Sequence, residues 1–230
     1  QCVAGCPVGA LTLRAGKVVW EESRCAGCDQ CIHVCPHHAS CKVIELTPEA
    51  LLDRVAETFP FIQGITVSGG ECMLYAEFLT EFFRLVKAAG KTCLIDSNGM
   101  VDFRQYPELL QLCDGVMLDM KAIDDDFHRQ LTGASNRQVL DNLTLLLEAG
   151  KLEEVRTVLL PEFSEQNQKT VRGVNERLQG KIRYKLLRYR PFGVCEEGLR
   201  FCGRTITPLE EAQRLAQAES DRGFHNCVVI

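Results

Sequence analysis

Six of the first 35 residues are cysteines, in a spacing that suits metal ligation. Cys25, Cys28, Cys31 and Cys35 form a C-x2-C-x2-C-x3-C-P run closed by Pro36, and Cys2, Cys6 and Pro7 repeat the second half of such a run. In the bacterial ferredoxin pattern, three cysteines of a run hold one [4Fe–4S] cube and the fourth ligates the neighbouring cube. By that rule Cys6, Cys25, Cys28 and Cys31 close one cube, while Cys2 and Cys35 supply half the ligands of a second. Zinc in C-x2-C pairs is the rival reading, but zinc takes four ligands tetrahedrally. The third cysteine at x2 and the Cys-Pro at x3 favour iron–sulfur cubes. The chain opens on Gln1 rather than Met, and the half-array reads as the remainder of a longer N-terminal segment. The imidazoles of His33, His37 and His38 read as solvent-exposed.

Four further segments carry polar residues where apolar, strand-like runs end. Ligands of parallel α/β folds bind at such carboxyl ends. Val67-Ser68-Gly69-Gly70-Glu71 puts two glycines, which let a ligand approach the backbone, before a carboxylate; alone it also reads as a plain strand-to-helix turn. Asp96-Ser97-Asn98-Gly99 contains Asn-Gly, which by itself is a turn signal. Asp119 and Lys121 lie two apart and share a face, so both would reach one cavity. Burying such a pair without use is costly, which favours a functional role. Arg156, within the apolar run Val155–Leu160, either pairs with an interior carboxylate or reads a ligand carboxylate or phosphate. Arg190 offers the same alternatives, plus that of an ordinary solvated arginine.

The elements that must position these residues differ along the chain. Residues 1–46 are short-range and cysteine-driven, with a hairpin signal in Ala10–Leu13 and Lys17–Trp20 around Arg14-Ala15-Gly16. A unit this small cannot be held by its apolar core alone. From Thr47 to Ile230 strands at 64–68, 92–96, 115–119, 154–160, 185–189 and 227–230 alternate with amphipathic helices. The pattern predicts βαβ units and a parallel sheet. Hydrophobic and charged contents of 46% and 25% are those of a globular protein. A net charge of −5, with no basic stretch, argues against nucleic acid as a partner. No apolar run approaches the ~20 residues of a membrane span. Thirteen cysteines in metal-ligand rather than disulfide spacing point to a reducing, anoxic cytoplasm. Cys41, Cys72, Cys93, Cys113, Cys195, Cys202 and Cys227 stand singly and read mostly as small buried apolar side chains.

Taken together, the Cys-Pro array, Gly64–Glu71, Leu94–Gly99, Leu118–Lys121, His128–Gly133 and Val155–Pro161 resemble the radical S-adenosylmethionine (SAM) activating enzymes of glycyl-radical enzymes. Within them the chain is similar to the YjjW-like type, with its two-cluster ferredoxin insert. The resemblance covers essentially the whole chain. It implies a partial (β/α)6 barrel, here without its first strand, preceded by a small ferredoxin-like domain for two [4Fe–4S] clusters. It implies that Gly69, Gly70 and Glu71 bind the amino group of SAM, that Asp96, Asn98, Asp119 and Lys121 line the SAM and monovalent-cation site, and that Arg156 faces the ligand. Asp119 and Lys121 are the catalytic candidates. Arg190 falls where related activases carry a histidine that contacts SAM, a departure from the pattern.

The implied reaction is reductive cleavage of SAM to a 5′-deoxyadenosyl radical, which takes a hydrogen from one glycine of a partner glycyl-radical enzyme. Flavodoxin or ferredoxin would be the electron donor. The family's SAM cluster is bound by a C-x3-C-x2-C loop, and no such triplet occurs in these 230 residues. The chain is therefore expected to hold one complete cube and half of another, and to lack the catalytic one. The alternative is a ferredoxin-type electron-transfer protein with a non-catalytic α/β domain.

Overall fold

The computed structural model describes residues 1–37 and 39–230. The reading of His38 lies outside the described residues, whereas His33 and His37 are exposed. The chain forms two compact units. Residues 1–46 with 192–201 make the smaller, and residues 47–191 with 202–230 the larger.

In the smaller unit β1 (Leu11–Arg14) and β2 (Lys17–Trp20) form an antiparallel hairpin, with Leu11 opposite Trp20 and Arg14 opposite Lys17. Ala15 and Gly16 both take positive φ, 47° and 78°. That is the mirror-image turn whose twist suits a two-residue hairpin. Most of the array then lies in irregular backbone around one helical turn, α1 (Gln30–His33). Its only described apolar side chains below a tenth exposure are Ala10, Leu11 and Cys31.

The larger unit begins at α2 (Pro48–Ala56), where the Thr47 hydroxyl accepts from the Ala50 N–H at 3.2 Å and Pro48 fills the first helical position. Then follow β3 (Gly64–Val67), α3 (Ala76–Ala88), β4 (Thr92–Ser97), α4 (Pro107–Leu112), β5 (Gly115–Asp119), α5 (Asp125–Thr132), α6 (Arg137–Glu148), β6 (Leu152–Leu159), α7 (Ser164–Leu178) and β7 (Arg183–Arg188). The chain closes with α8 (Glu196–Cys202), α9 (Leu209–Asp221) and β8 (Cys227–Val229). The helix α8 is absent from the sequence expectation. Residues 192–201, expected with the large unit, group with the small one.

The six strands β3 to β8 pair in sequence order and all in parallel, leaving β3 and β8 at the edges. One face of this sheet is apolar. Ile95, Leu118, Val155, Leu159, Tyr184 and Leu186 are buried with Phe83, Val86, Leu143, Leu146 and Val174 of the helices. Side chains of opposite parity form the other face. There Asp96 lies beside Met117 and Met117 beside Glu154, while Asp119 lies beside Arg156 and Arg156 beside Lys185. Among the described residues no helix is long and apolar enough to cross a membrane.

Candidate functional site

Two sets of residues converge, one in each unit. In the smaller unit Cys6, Cys25, Cys28 and Cys31 line one cavity. The hairpin brings Ala10, Leu11 and Trp20 to its wall, and the chain after the array brings Lys42. Among the described residues no three His, Cys, Asp or Glu side chains meet closely enough to hold a single metal ion.

The groups around this cavity suit an anionic cluster. The Ala10 N–H donates to Cys6 Sγ at 3.2 Å and the Gly27 N–H to Cys25 Sγ at 3.4 Å. Although desolvation opposes it, backbone N–H groups from Val8 to Leu11 bring the Cys6 thiol below its ordinary pKa. The Gly27 N–H and then the Trp20 side chain do the same for Cys25. The Trp20 Nε1–H is buried and makes no well-formed hydrogen bond, its one acceptor contact being with Cys25. A shared cavity and N–H groups directed at its sulfurs make the four cysteines chemically suited to a cluster. Cys2 and Cys35 do not line this cavity. Cys41, read from sequence as a lone apolar residue, lies beside Cys31 and Cys2. Burial, then those two thiols, push it up to about 11.

In the larger unit the site residues gather at the carboxyl ends of β3, β4, β5 and β6. Gly69 has φ +139°, and a Cβ on either Gly69 or Gly70 would meet nothing within 4 Å. The backbone here lies open. The Glu71 carboxylate is also a structural link between loops. Its Oε1 accepts from Met73 N–H at 3.1 Å and Ser97 Oγ at 2.8 Å, and its Oε2 accepts from Asn98 N–H at 2.7 Å. The carboxylate ties the β3 loop to the β4 loop and keeps little free capacity, since a carboxylate offers about four acceptor sites. Asn98 likewise turns its Oδ1 back to Met100 N–H at 2.9 Å. Gly99 has φ +73°, and a Cβ there would sit 2.7 Å from Leu118 Cδ1, so only glycine fits.

Below that rim runs a charged row. Lys121 Nζ meets Asp119 Oδ2 at 2.6 Å, with side chains 33% and 26% exposed. Arg156 Nη1 pairs with Asp96 Oδ2 at 2.8 Å, Nη2 reaches Met117 Sδ at 2.8 Å, and Nε pairs with Glu154 Oε1 at 2.5 Å. Lys185 closes on Glu154 Oε2 at 2.8 Å. Arg156 therefore has interior carboxylate partners in Asp96 and Glu154. Glu154 and Lys185 were missed. Glu154 could have been found, since it sits two residues before Arg156 and so on the same face. Lys185 joins only through the β6–β7 register. Arg190 is exposed beyond the end of β7.

Residues 22–173 match the family model described as Radical SAM superfamily, two thirds of the chain. The chain belongs to the radical SAM superfamily. Residues 1–39 match the 4Fe-4S dicluster domain. The two radical SAM and iron–sulfur matches support iron–sulfur clusters and SAM as its cofactors. Among curated relatives, the pyruvate formate-lyase 1-activating enzyme of Escherichia coli K12 is 35% identical over 159 residues, which are 65% of this chain and 64% of that protein. The match thus spans less than two thirds of that relative's length. A putative glycyl-radical enzyme activating enzyme of Haemophilus influenzae is 28% identical over 215 residues, 83% of this chain and 80% of that one. Among solved structures, a domain of the pyruvate-formate lyase-activating enzyme of Bacteroides vulgatus superposes with a TM-score of 0.59 at 20% identity. It covers 74% of this chain and 99% of that one. The parallel α/β fold of this radical SAM chain is thereby the one expected from its motifs.

Proposed function

We propose that this radical SAM chain serves an activase that cleaves SAM reductively and takes a hydrogen atom from one glycine of a partner glycyl-radical enzyme. A flavodoxin or ferredoxin supplies the electron. The carrying observation is the convergence of open glycine backbone, the Asp119–Lys121 pair and the Asp96–Arg156 pair on one end of the sheet, in a chain similar to activating enzymes. When bound, the iron–sulfur cluster and SAM supply the one-electron chemistry that yields a 5′-deoxyadenosyl radical.

The chain's own residues bind and orient. Asp119 and Lys121 present a carboxylate and an ammonium side by side, a match for the zwitterionic methionyl end of SAM. Each can exchange its present partner for the ligand's opposite charge. Gly69 and Gly70 let the ligand lie against main chain. Glu71 holds the β3 and β4 loops at a constant separation. Asp96, fixed by Arg156, keeps one oxygen for the ligand or for a monovalent cation. Cys6, Cys25, Cys28 and Cys31 hold an accessory [4Fe–4S] cube that relays electrons, with Cys2 and Cys35 contributing to a second. No C-x3-C-x2-C set for the SAM cluster occurs within these 230 residues.

Two measurements test this reading. Calorimetric titration of the chain with SAM is expected to show binding that Asp119→Asn weakens at least tenfold; equal affinity for both would sink the assignment of Asp119. With dithionite and SAM, residues 1–230 alone are expected to form no 5′-deoxyadenosine. The absent triplet favours a second reading for the 230 residues by themselves, that of an electron-transfer module. It expects about four irons and four sulfides per chain after anaerobic reconstitution.

A further inference from the structure

Around the four-cysteine cavity, the wall carries an indole, a carboxylate and an ammonium, from Trp20, Asp29 and Lys42. Trp20, the last residue of β2, lines the cavity with its Nε1–H buried and without a well-formed hydrogen bond. An indole N–H can only donate, and a buried donor left without an acceptor is costly. The sulfur nearest in this geometry is Cys25, already the acceptor of Gly27 N–H. Lys42 also lines the cavity, its side chain 22% exposed, and pairs with Asp29, 53% exposed, at 2.5 Å. Asp29 lines the same cavity and partly offsets the ammonium there, although water screens the more exposed carboxylate better.

We propose that Trp20 and Lys42 are positioning residues for the electron, poising the cube held by Cys6, Cys25, Cys28 and Cys31 at a higher potential than its bare ligand set would give. The inference rests on that ligand assignment. Reduction adds one negative charge to the cube and its thiolates. A donor to sulfur and a nearby ammonium stabilise the reduced form more than the oxidised one, and both levers are known to move cluster potentials. Neither residue touches the iron. Their effect is on where the one-electron equilibrium lies, with the donor's electron entering and no bond made or broken. Asp29 opposes Lys42 and moderates the effect.

The test is an electron paramagnetic resonance redox titration of the anaerobically reconstituted 230-residue chain and its variants, each with iron and sulfide counted. Trp20→Phe keeps the ring and removes the N–H, and Lys42→Met keeps the stem and removes the charge. Each is expected to make reduction about tenfold less favourable, a fall of about 59 mV for one electron. Asp29→Asn is expected to move the potential the opposite way. Midpoints unchanged or raised in Trp20→Phe and Lys42→Met, at wild-type iron and sulfide content, overturn the proposal. A wild-type chain that assembles no cube overturns the ligand assignment instead. Should a variant fail to load, the wild type still decides, because the chain has a single tryptophan. With ¹⁵N-indole label, a ¹⁵N hyperfine coupling to the reduced cube supports the hydrogen bond, and its absence overturns it.

Discussion

Glu154 is almost fully buried yet charged, with Arg156, Lys185 and the more distant Arg183 as partners. Charge-assisted hydrogen bonds replace the water it has lost. Burial pushes its carboxyl up, but the bonds from Lys185 and Arg156 outweigh this and hold it below its ordinary value of 4.5. The folded chain therefore keeps Glu154 ionised at a pH where the unfolded chain has protonated it. Its stabilisation is complete above about 4.5 and is lost as the pH falls through the lower, folded value. Glu154→Gln is expected to cost roughly 3 kcal/mol at neutral pH, because Arg156 and Lys185 lose their shared countercharge. The variant should also lose less stability than wild type on acidification. Urea unfolding at neutral pH and at about pH 3.5 measures both effects. Matching curves for the two proteins would show that the carboxylate is not the keystone of this row. The sequence placed Arg156 at the site from its apolar surroundings, and structure supplied the reason its fork is filled.

At the scale of elements, the loop after β4 carries Asn98 and is held from a distance by α6. Asn142 is 1% exposed. Its Nδ2 donates to Gly99 O and Val101 O, both at 2.8 Å, and its Oδ1 accepts from Phe103 N–H at 3.2 Å. One side chain thus satisfies three backbone groups of a segment that has no regular ladder of its own. Asn142→Ala is expected to lower stability by about 3 kcal/mol through those orphaned groups. It should also weaken SAM binding, although Asn142 lies outside the proposed contacts. Denaturation and calorimetry on the same sample separate the two effects; unchanged SAM affinity would mean the loop holds its shape without α6. His128 belongs to the same class of support. Its Nδ1 meets Ala134 O at 2.8 Å, and the ring is buried. Periodicity marked α6 and β4 as elements. It carried no sign that Asn142 faces a loop 41 to 43 residues away, because that pairing depends on how the helix packs on the sheet.

At the scale of the whole molecule, the two units are stabilised by different physics. The larger has an apolar core between its sheet and helices. The smaller has three well-buried apolar side chains and a sulfur-lined cavity, so folding there depends on what fills the cavity. Iron chelation is expected to make residues 1–46 readily cleaved in limited proteolysis while 47–191 stay resistant, with mass spectrometry locating the cuts. Equal resistance of the small unit with and without iron would refute this dependence. The alternation of strands and helices was enough to read the parallel sheet, since each apolar run and each amphipathic helix carries its own period. Residues 192–201 escaped that reading because their grouping with 1–46 is a long-range contact without local pattern.

By itself, the sequence determined what is written in short spacings: the cysteine array, the strand ends bearing Gly69 to Glu71, Asp96, Asp119 and Lys121, and the order of elements. Such features depend on neighbours a few residues apart, where chain geometry leaves little choice. Only the tertiary structure decided which of these groups meet. It bonded Glu71 and Asn98 to neighbouring loop backbone, set Arg156 against Glu154 and Asp96, brought Lys185 into the row, and placed Trp20 and Lys42 on the wall of the cysteine cavity. Those outcomes follow from register and packing between distant segments, which set the partners of a buried charge or donor and are invisible in any local pattern.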